Sequence, residues 1–267
     1  MVDVAPPPWG GASLDLRYAR RTYAGRYFSR GFGERFEDLS TSAPVARPWA
    51  RSFSFAELNP ATGPDGIRTD VRYVSPDPLL SGAVRSGTGV LFRPPRPRAL
   101  VIHLAAPGDE GFVHRTNALA LPLLASGIAS LIVAAPYYGR RRIAPRVARM
   151  VLPTVADLAD LFRAQVIEAA SLVFAARRQY RCLVVLSGVS RGGQAATIAA
   201  CLLERPPSVA AFLAPAQAAP VFLDGVLSAE VDWTALTHDA GDLATARARF
   251  SSMLNDADID RFAAGAQ

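Results

Sequence analysis

The sequence predicts a doubly wound α/β fold, a mainly parallel sheet with helices on both faces. Three observations carry this. From about residue 69, short β-rich runs alternate with helix-like segments. Several of those runs are apolar without period-two alternation, as strands covered on both faces are. The chain has 267 residues, 50% of them hydrophobic, and no internal repeat or low-complexity tract, so one large domain can bury a full core.

Residues 1–65 read as an N-terminal attachment, partly helical and Pro-rich. Its opening, "MVDVAPPPWGG", has an acid at the third residue, three prolines and no apolar run. That is not a secretory signal, and a cytoplasmic protein is expected. The next segment, "DLRYARRTYAGRYFSRGFGERFEDL", interleaves Arg with Tyr and Phe. A helix packed on the sheet by its aromatics is expected, with docking on an anionic membrane surface as the competing reading.

Residues 66–228 form the expected core, with strands at "TDVRYVS", "GTGVLFRP", "ALVIHLA", "ASLIVAAP", "CLVVLSG" and "VAAFLAP". The uncharged run 116–139 has the length of a membrane span, but Pro122 and the Ser126-Gly127 pair divide it into a short helix, a turn and a buried strand. Leu158, Leu161, Phe162, Val166, Ala169, Val173 and Ala176 recur at helical spacing and predict a long helix over 155–180. Residues 229–267 contain no convincing strand and read as a polar helical segment, the start of an insertion.

Composition narrows the partners. The formal charge is +6, yet all 29 basic residues are Arg and none is Lys, and no nucleic-acid-binding module accompanies them. No nucleic acid is expected. Cys182 and Cys201 sit in apolar segments without metal-ligand spacing and read as core residues, so no metal or cofactor is expected. Between residues 111 and 156 there are six Arg (115, 140, 141, 142, 146 and 149) and no Asp or Glu. Because "YYGRRR" follows the C-terminal end of a strand, these cations are expected at a ligand-binding rim, where they would favour anionic esters or an anionic lipid surface. Pairing with the acidic segment 224–260 is the alternative.

The chemistry centres on "CLVVLSGVSRGGQAATIAACLL", where Ser190 lies between Gly188 and Gly192 in a G-x-S-x-G pattern. Such a pattern arises by chance in roughly one chain in ten of this length, so context decides. Here an apolar strand precedes the serine and an Ala-rich helix follows, as a nucleophile elbow requires, and the glycines fall where strand and helix approach closely. Ser190 is the candidate nucleophile. The backbone N–H of Arg191, at the start of that helix, is one candidate oxyanion donor. The other is Ala105, among the small residues that follow the strand ending in His103 in "VIHLAAPGDEG", where His103 is expected to hold the loop by hydrogen bonds.

The runs "HLAAPGDEGF", "APYYGRRR", "SGVSRGGQAA" and "GVLSAEVDW", in this order and spacing, together with the opening "RRTYAGRYFSRGFG", resemble the α/β-hydrolase domain-containing protein 18 family over most of residues 17–235. The resemblance implies an α/β-hydrolase fold with Ser190 as nucleophile and a small-molecule or lipid ester as substrate. This chain departs from the family in having Arg191 where a Met is typical. It also implies a C-terminal continuation carrying the acid, a final strand and the histidine. The expectation is therefore a chain incomplete at its C-terminus, with a shortened pseudoenzyme as the alternative.

Within the chain, a serine hydrolase needs a base, and order within α/β-hydrolases places the acid and then the histidine after the serine. His238 follows the sixth run too closely to end a later strand and reads as a surface residue; Asp224 and Asp232 are weak candidates for the acid. Three functional classes stay open: an acyl-enzyme esterase, a catalytically inactive binding protein, and a peripheral membrane protein.

Overall fold

A computed structural model describes residues 26–36, 52–63, 66–142, 152–225 and 227–263. They form a seven-stranded sheet flanked by helices, ordered β1-β2-β3-β5-β4-β6-β7. The strands are β1 (Ala56–Gly63), β2 (Gly66–Val74), β3 (Ser86–Arg93), β4 (Ala99–Leu104), β5 (Ala129–Val133), β6 (Leu183–Val189) and β7 (Ser208–Phe212). β1, β2, β3 and β5 pair antiparallel in sequence, whereas β4 pairs parallel with β5 and β6, and β6 parallel with β7. Five of the seven strands consequently point the same way. This is the α/β-hydrolase sheet that the sequence predicts.

All six expected strands are present, and β1 adds a seventh inside the stretch assigned to the N-terminal attachment. β1 is an edge strand, mostly exposed, and its register with β2 shifts between Leu58 and Ala61, around Pro60. A proline that cannot donate to the ladder is tolerated at such an edge.

The run 116–139 resolves as predicted into helical turns over 113–125, a turn at Ser126-Gly127 and the fully buried β5. Among the described residues no helix is long and apolar enough to cross a membrane. The helical turns cover one face of the sheet through Ala120 and Leu124 against Val90, Phe92 and Ile132. On the other face lie α1 (Val155–Tyr180) and α2 (Arg191–Cys201), packed on Leu100, Ile102, Leu131 and Leu186.

α1 occupies the predicted span. It starts at a reciprocal capping box: Asp157 N–H donates to Thr154 Oγ1 at 3.1 Å, and Thr154 N–H donates to the Asp157 carboxylate at 3.1 Å. It is buried on more than its apolar stripe, so its polar residues need internal partners. Glu168 accepts from Arg141 and from Tyr73 Oη, at 2.9 Å from the latter. Arg163 bonds Asp77 and Asp160, and Asp160 accepts from Tyr137 Oη at 3.0 Å.

The C-terminal part is helical, with α3 (Ala219–Leu223), α4 (Trp233–Ala240), α5 (Leu243–Asn255) and α6 (Ile259–Ala263). Residues 26–36 pack there and at the head of α1, not on the sheet as expected. Phe28 stacks edge-on against Phe250 at 5.1 Å, and Tyr27 against Phe222 at 6.0 Å. Backbone bonds pin the segment on both sides: Tyr27 N–H to Glu230 O at 2.8 Å and Phe28 N–H to Leu152 O at 2.9 Å. The rest of the Arg and Tyr-rich stretch, residues 15–25 and 37–39, lies outside the described residues.

Candidate active site

β6 turns into α2 at Ser190, whose backbone has φ 53° and ψ −125°. This is neither extended nor left-handed helical; Arg181, with φ 50° and ψ 37°, shows the ordinary left-handed conformation of a helix end. Two bonds hold the turn. Ser190 N–H donates to Phe212 O at the end of β7 (2.8 Å), and Gln194 N–H donates to Ser190 O (3.0 Å).

The flanking glycines are required by close approach. A methyl on Gly188 would lie 2.3 Å from the carbonyl carbon of Gly192, where the strand meets the helix. A methyl on Gly192 would lie 2.8 Å from the carbonyl oxygens of both Leu104 and Ala105. The second contact also brings the loop after β4, with the buried Ala105, against the elbow. Arg191 is the first residue of α2, where backbone N–H groups have no intrahelical partner.

His103, at the end of β4, is buried, and its Nε2 meets Ser130 Oγ at 3.2 Å. Burial, and secondarily Arg115, push its pKa down to about 4, so the ring is neutral at physiological pH. The loop itself is held by Arg115: its Nη1 donates to His103 O (2.8 Å) and Val133 O (2.9 Å), and its Nε lies 2.5 Å from the Asp109 carboxylate.

Three of the cations expected at a rim are instead held by partners, whereas Arg140 is exposed. Arg115 and Arg141 are buried, Arg141 between Glu168 and Val84 O, and Arg142 pairs with Glu110. The carboxylates described beside these three belong to the core and to the β4 loop: Asp109, Glu110 and Glu168. Arg146 and Arg149 lie outside the described residues.

His238 sits on α4 with its side chain 89% exposed, 3.5 Å from Asp239. Asp224 is exposed and pairs with Arg247 at 2.9 Å, and Asp232 caps α4 through Ala235 N–H at 3.1 Å. None of these three, nor His103, is hydrogen-bonded to Ser190 among the described residues. No group of three or more His, Cys, Asp or Glu able to hold a metal occurs there either.

Beside Ser190 opens a pocket walled by Leu158, Leu161, Phe162, Val221, Phe222 and Leu227. Tyr27, Tyr138, Arg191 and Gln194 also line it. Sequence reading missed the pocket because Tyr27 comes from more than 160 residues upstream of Ser190 and Phe222 from beyond the last strand. One signal was present: Gln165, a polar residue within the apolar stripe of α1, bonds both Ala105 O (3.0 Å) and the Arg191 guanidinium.

A model of the family described as alpha/beta hydrolase domain containing 18 matches residues 81–259. Among solved structures, the acetyl xylan esterase from Paenibacillus sp. R4 is similar over 94% of this chain and 79% of that one, at 14% identity and a TM-score of 0.56. Acetyl xylan esterase 1 from Thermoanaerobacterium sp. JW/SL YS485 is similar over 93% and 78%, at 14% identity and 0.53. TT1662 from Thermus thermophilus aligns over a shorter stretch, 49% of this chain and 53% of that one, at 22% identity and 0.40.

Proposed function

Because the chain belongs to the alpha/beta hydrolase domain containing 18 family, with that model covering 81–259, we propose that it is a serine hydrolase cleaving a carboxylic ester through an acyl-enzyme at Ser190. The observation that carries this is the Ser190 backbone, φ 53° and ψ −125°, at the junction of β6 and α2. A non-glycine residue is held in so unfavourable a conformation only where the surroundings over-determine it, and a reactive hydroxyl presented at the mouth of a pocket is a reason for it.

In this reading Ser190 Oγ attacks the ester carbonyl. The N–H groups of Arg191 and Ala105 receive the oxyanion; the alcohol leaves with the proton that Oγ gives up; water then frees the acid from the acyl-serine. The apolar lining favours an uncharged acyl or alcohol chain along most of its wall. The similar acetyl xylan esterases act on an ester, which is compatible with this chemistry.

A second reading, a binding protein that keeps the fold without turnover, is favoured by one observation: no described histidine bonds Ser190. A fluorophosphonate probe separates the two. Labelling that maps to Ser190 and disappears in Ser190→Ala supports the hydrolase. A folded protein that leaves the probe unreacted over hours overturns it in favour of the second reading.

A further inference from the structure

We infer that Arg191 is the specificity determinant of the Ser190 pocket: one edge of its guanidinium takes the carboxylate of an ester substrate that carries one. The inference rests on the hydrolase reading of Ser190 for the word substrate, but the recognition it describes can be measured without turnover.

Arg191 is 5% exposed, and its Nη1 donates to Gln165 Oε1. Gln165 is itself fixed through Nε2 to Ala105 O at 3.0 Å, so the orientation of the guanidinium is locked. The remaining donors, Nε and Nη2, are buried and have no hydrogen-bond partner. They are not two unrelated orphans. Nε–H and one Nη2–H lie parallel along one edge of the planar group, the fork that receives two oxygens of one anion. Buried unpaired donors are uncommon in folded proteins, and a charged pair on a single edge points to an absent ligand.

The surroundings select the ligand. The guanidinium carbon lies 5.9 Å from the centre of the Phe162 ring, and Phe162, Tyr27 and Tyr138 all line the same pocket as Ser190. A carboxylate brings one negative charge and two oxygens, and the fork satisfies both. A phosphate monoester brings close to two charges and a third oxygen, which the apolar wall would leave unpaired. Because Ser190 and Arg191 line the same pocket, the carboxylate and the carbonyl that Ser190 attacks belong to one ligand. Gln194 Oε1, also buried and unpartnered in this pocket, would accept from a hydroxyl or N–H carried by the same ligand.

The test uses the full chain with Ser190→Ala, which removes turnover, and compares monomethyl succinate with dimethyl succinate, equal in backbone but differing in one charge. The monoester should bind about tenfold more tightly, the value of one charge-assisted hydrogen bond. In arginine-labelled protein it should move the Arg191 Nε–H resonance. Arg191→Met and Arg191→Lys should each bring the ratio close to one, and the lysine variant, which keeps the charge but not the fork, serves if the methionine variant loses its native circular dichroism. Equal affinity for the two esters, or a preference that survives in both variants, overturns the inference. So does inorganic phosphate moving the Nε–H resonance at lower concentration than the monoester. Failure of fluorophosphonate labelling in the unsubstituted protein would overturn the hydrolase reading while leaving this measurement intact.

Discussion

Glycine in place of Ser190 tests whether the elbow stores strain. At φ 53° and ψ −125° a residue with a Cβ is disfavoured by about 1–3 kcal/mol. Glycine releases most of this and gives back about 0.5–1 kcal/mol through its freer unfolded chain. The net expectation for Ser190→Gly over Ser190→Ala is a gain of about 1–2 kcal/mol, or roughly 2–8 °C in melting temperature for a chain of this size. Alanine is the proper reference, since it keeps the Cβ and removes only a hydroxyl whose Oγ bonds no described residue. Ser190→Ala itself should match the unsubstituted protein closely. Urea unfolding followed by circular dichroism gives both midpoints. If the glycine variant is no more stable than the alanine variant, the conformation at 190 is not strained, and the argument from strain to reactivity fails with it.

Gly188→Ala places a methyl 2.3 Å from backbone, so a loss of at least about 3 kcal/mol is expected; an unchanged urea midpoint would contradict the packing described at the elbow. His103 stays neutral in the folded protein down to about pH 4, whereas the unfolded chain takes up a proton below about 6.5, so stability should fall by roughly 3 kcal/mol as pH drops through that window. His103→Gln should lack that part of the slope, and parallel curves for the two proteins would count against it. Glu168→Gln leaves the fully buried Arg141 without its counter-charge and should cost about 3–5 kcal/mol, read by the same unfolding assay. The 89% exposed His238 should be dispensable: His238→Ala should label with fluorophosphonate at the parent's rate, and loss of labelling would make it the base.

The elements that sequence reading recovers are those whose burial is written locally. α1 is announced by seven apolar residues at helical spacing, and β4, β5 and β6 by largely apolar runs without period-two alternation, as in strands covered on both faces. β1 escaped because most of it is exposed: an edge strand needs no apolar face, and Pro60 argues against a strand wherever the ladder is continuous. The elbow was legible for the same local reason, since two glycines at fixed offsets from Ser190 are demanded by contacts between adjacent elements. The fates of the arginines were not. Whether Arg115 meets solvent or two carbonyls depends on Asp109 and on the ends of β4 and β5, and Arg141 depends on Glu168, 27 residues away on α1. A run of like charge reads as a surface until its partners are placed.

The pocket wall has a consequence for the order in which the protein is made. Tyr27 is synthesised early, Ser190 some 160 residues later, and Phe222, Leu227 and the Phe250 that backs them later still. Strand β6 and helix α2 are neighbours in sequence, and the bond from Ser190 N–H to Phe212 O completes their turn once β7 has emerged from the ribosome. The cavity cannot close then, because its first and last pieces are held together only when Tyr27 bonds Glu230 and Phe28 reaches Phe250. At roughly 5–20 residues per second, a growing chain spends several seconds with its serine presented and no chamber around it. A nascent polypeptide would therefore carry the hydroxyl openly before it acquires any means of choosing what approaches it.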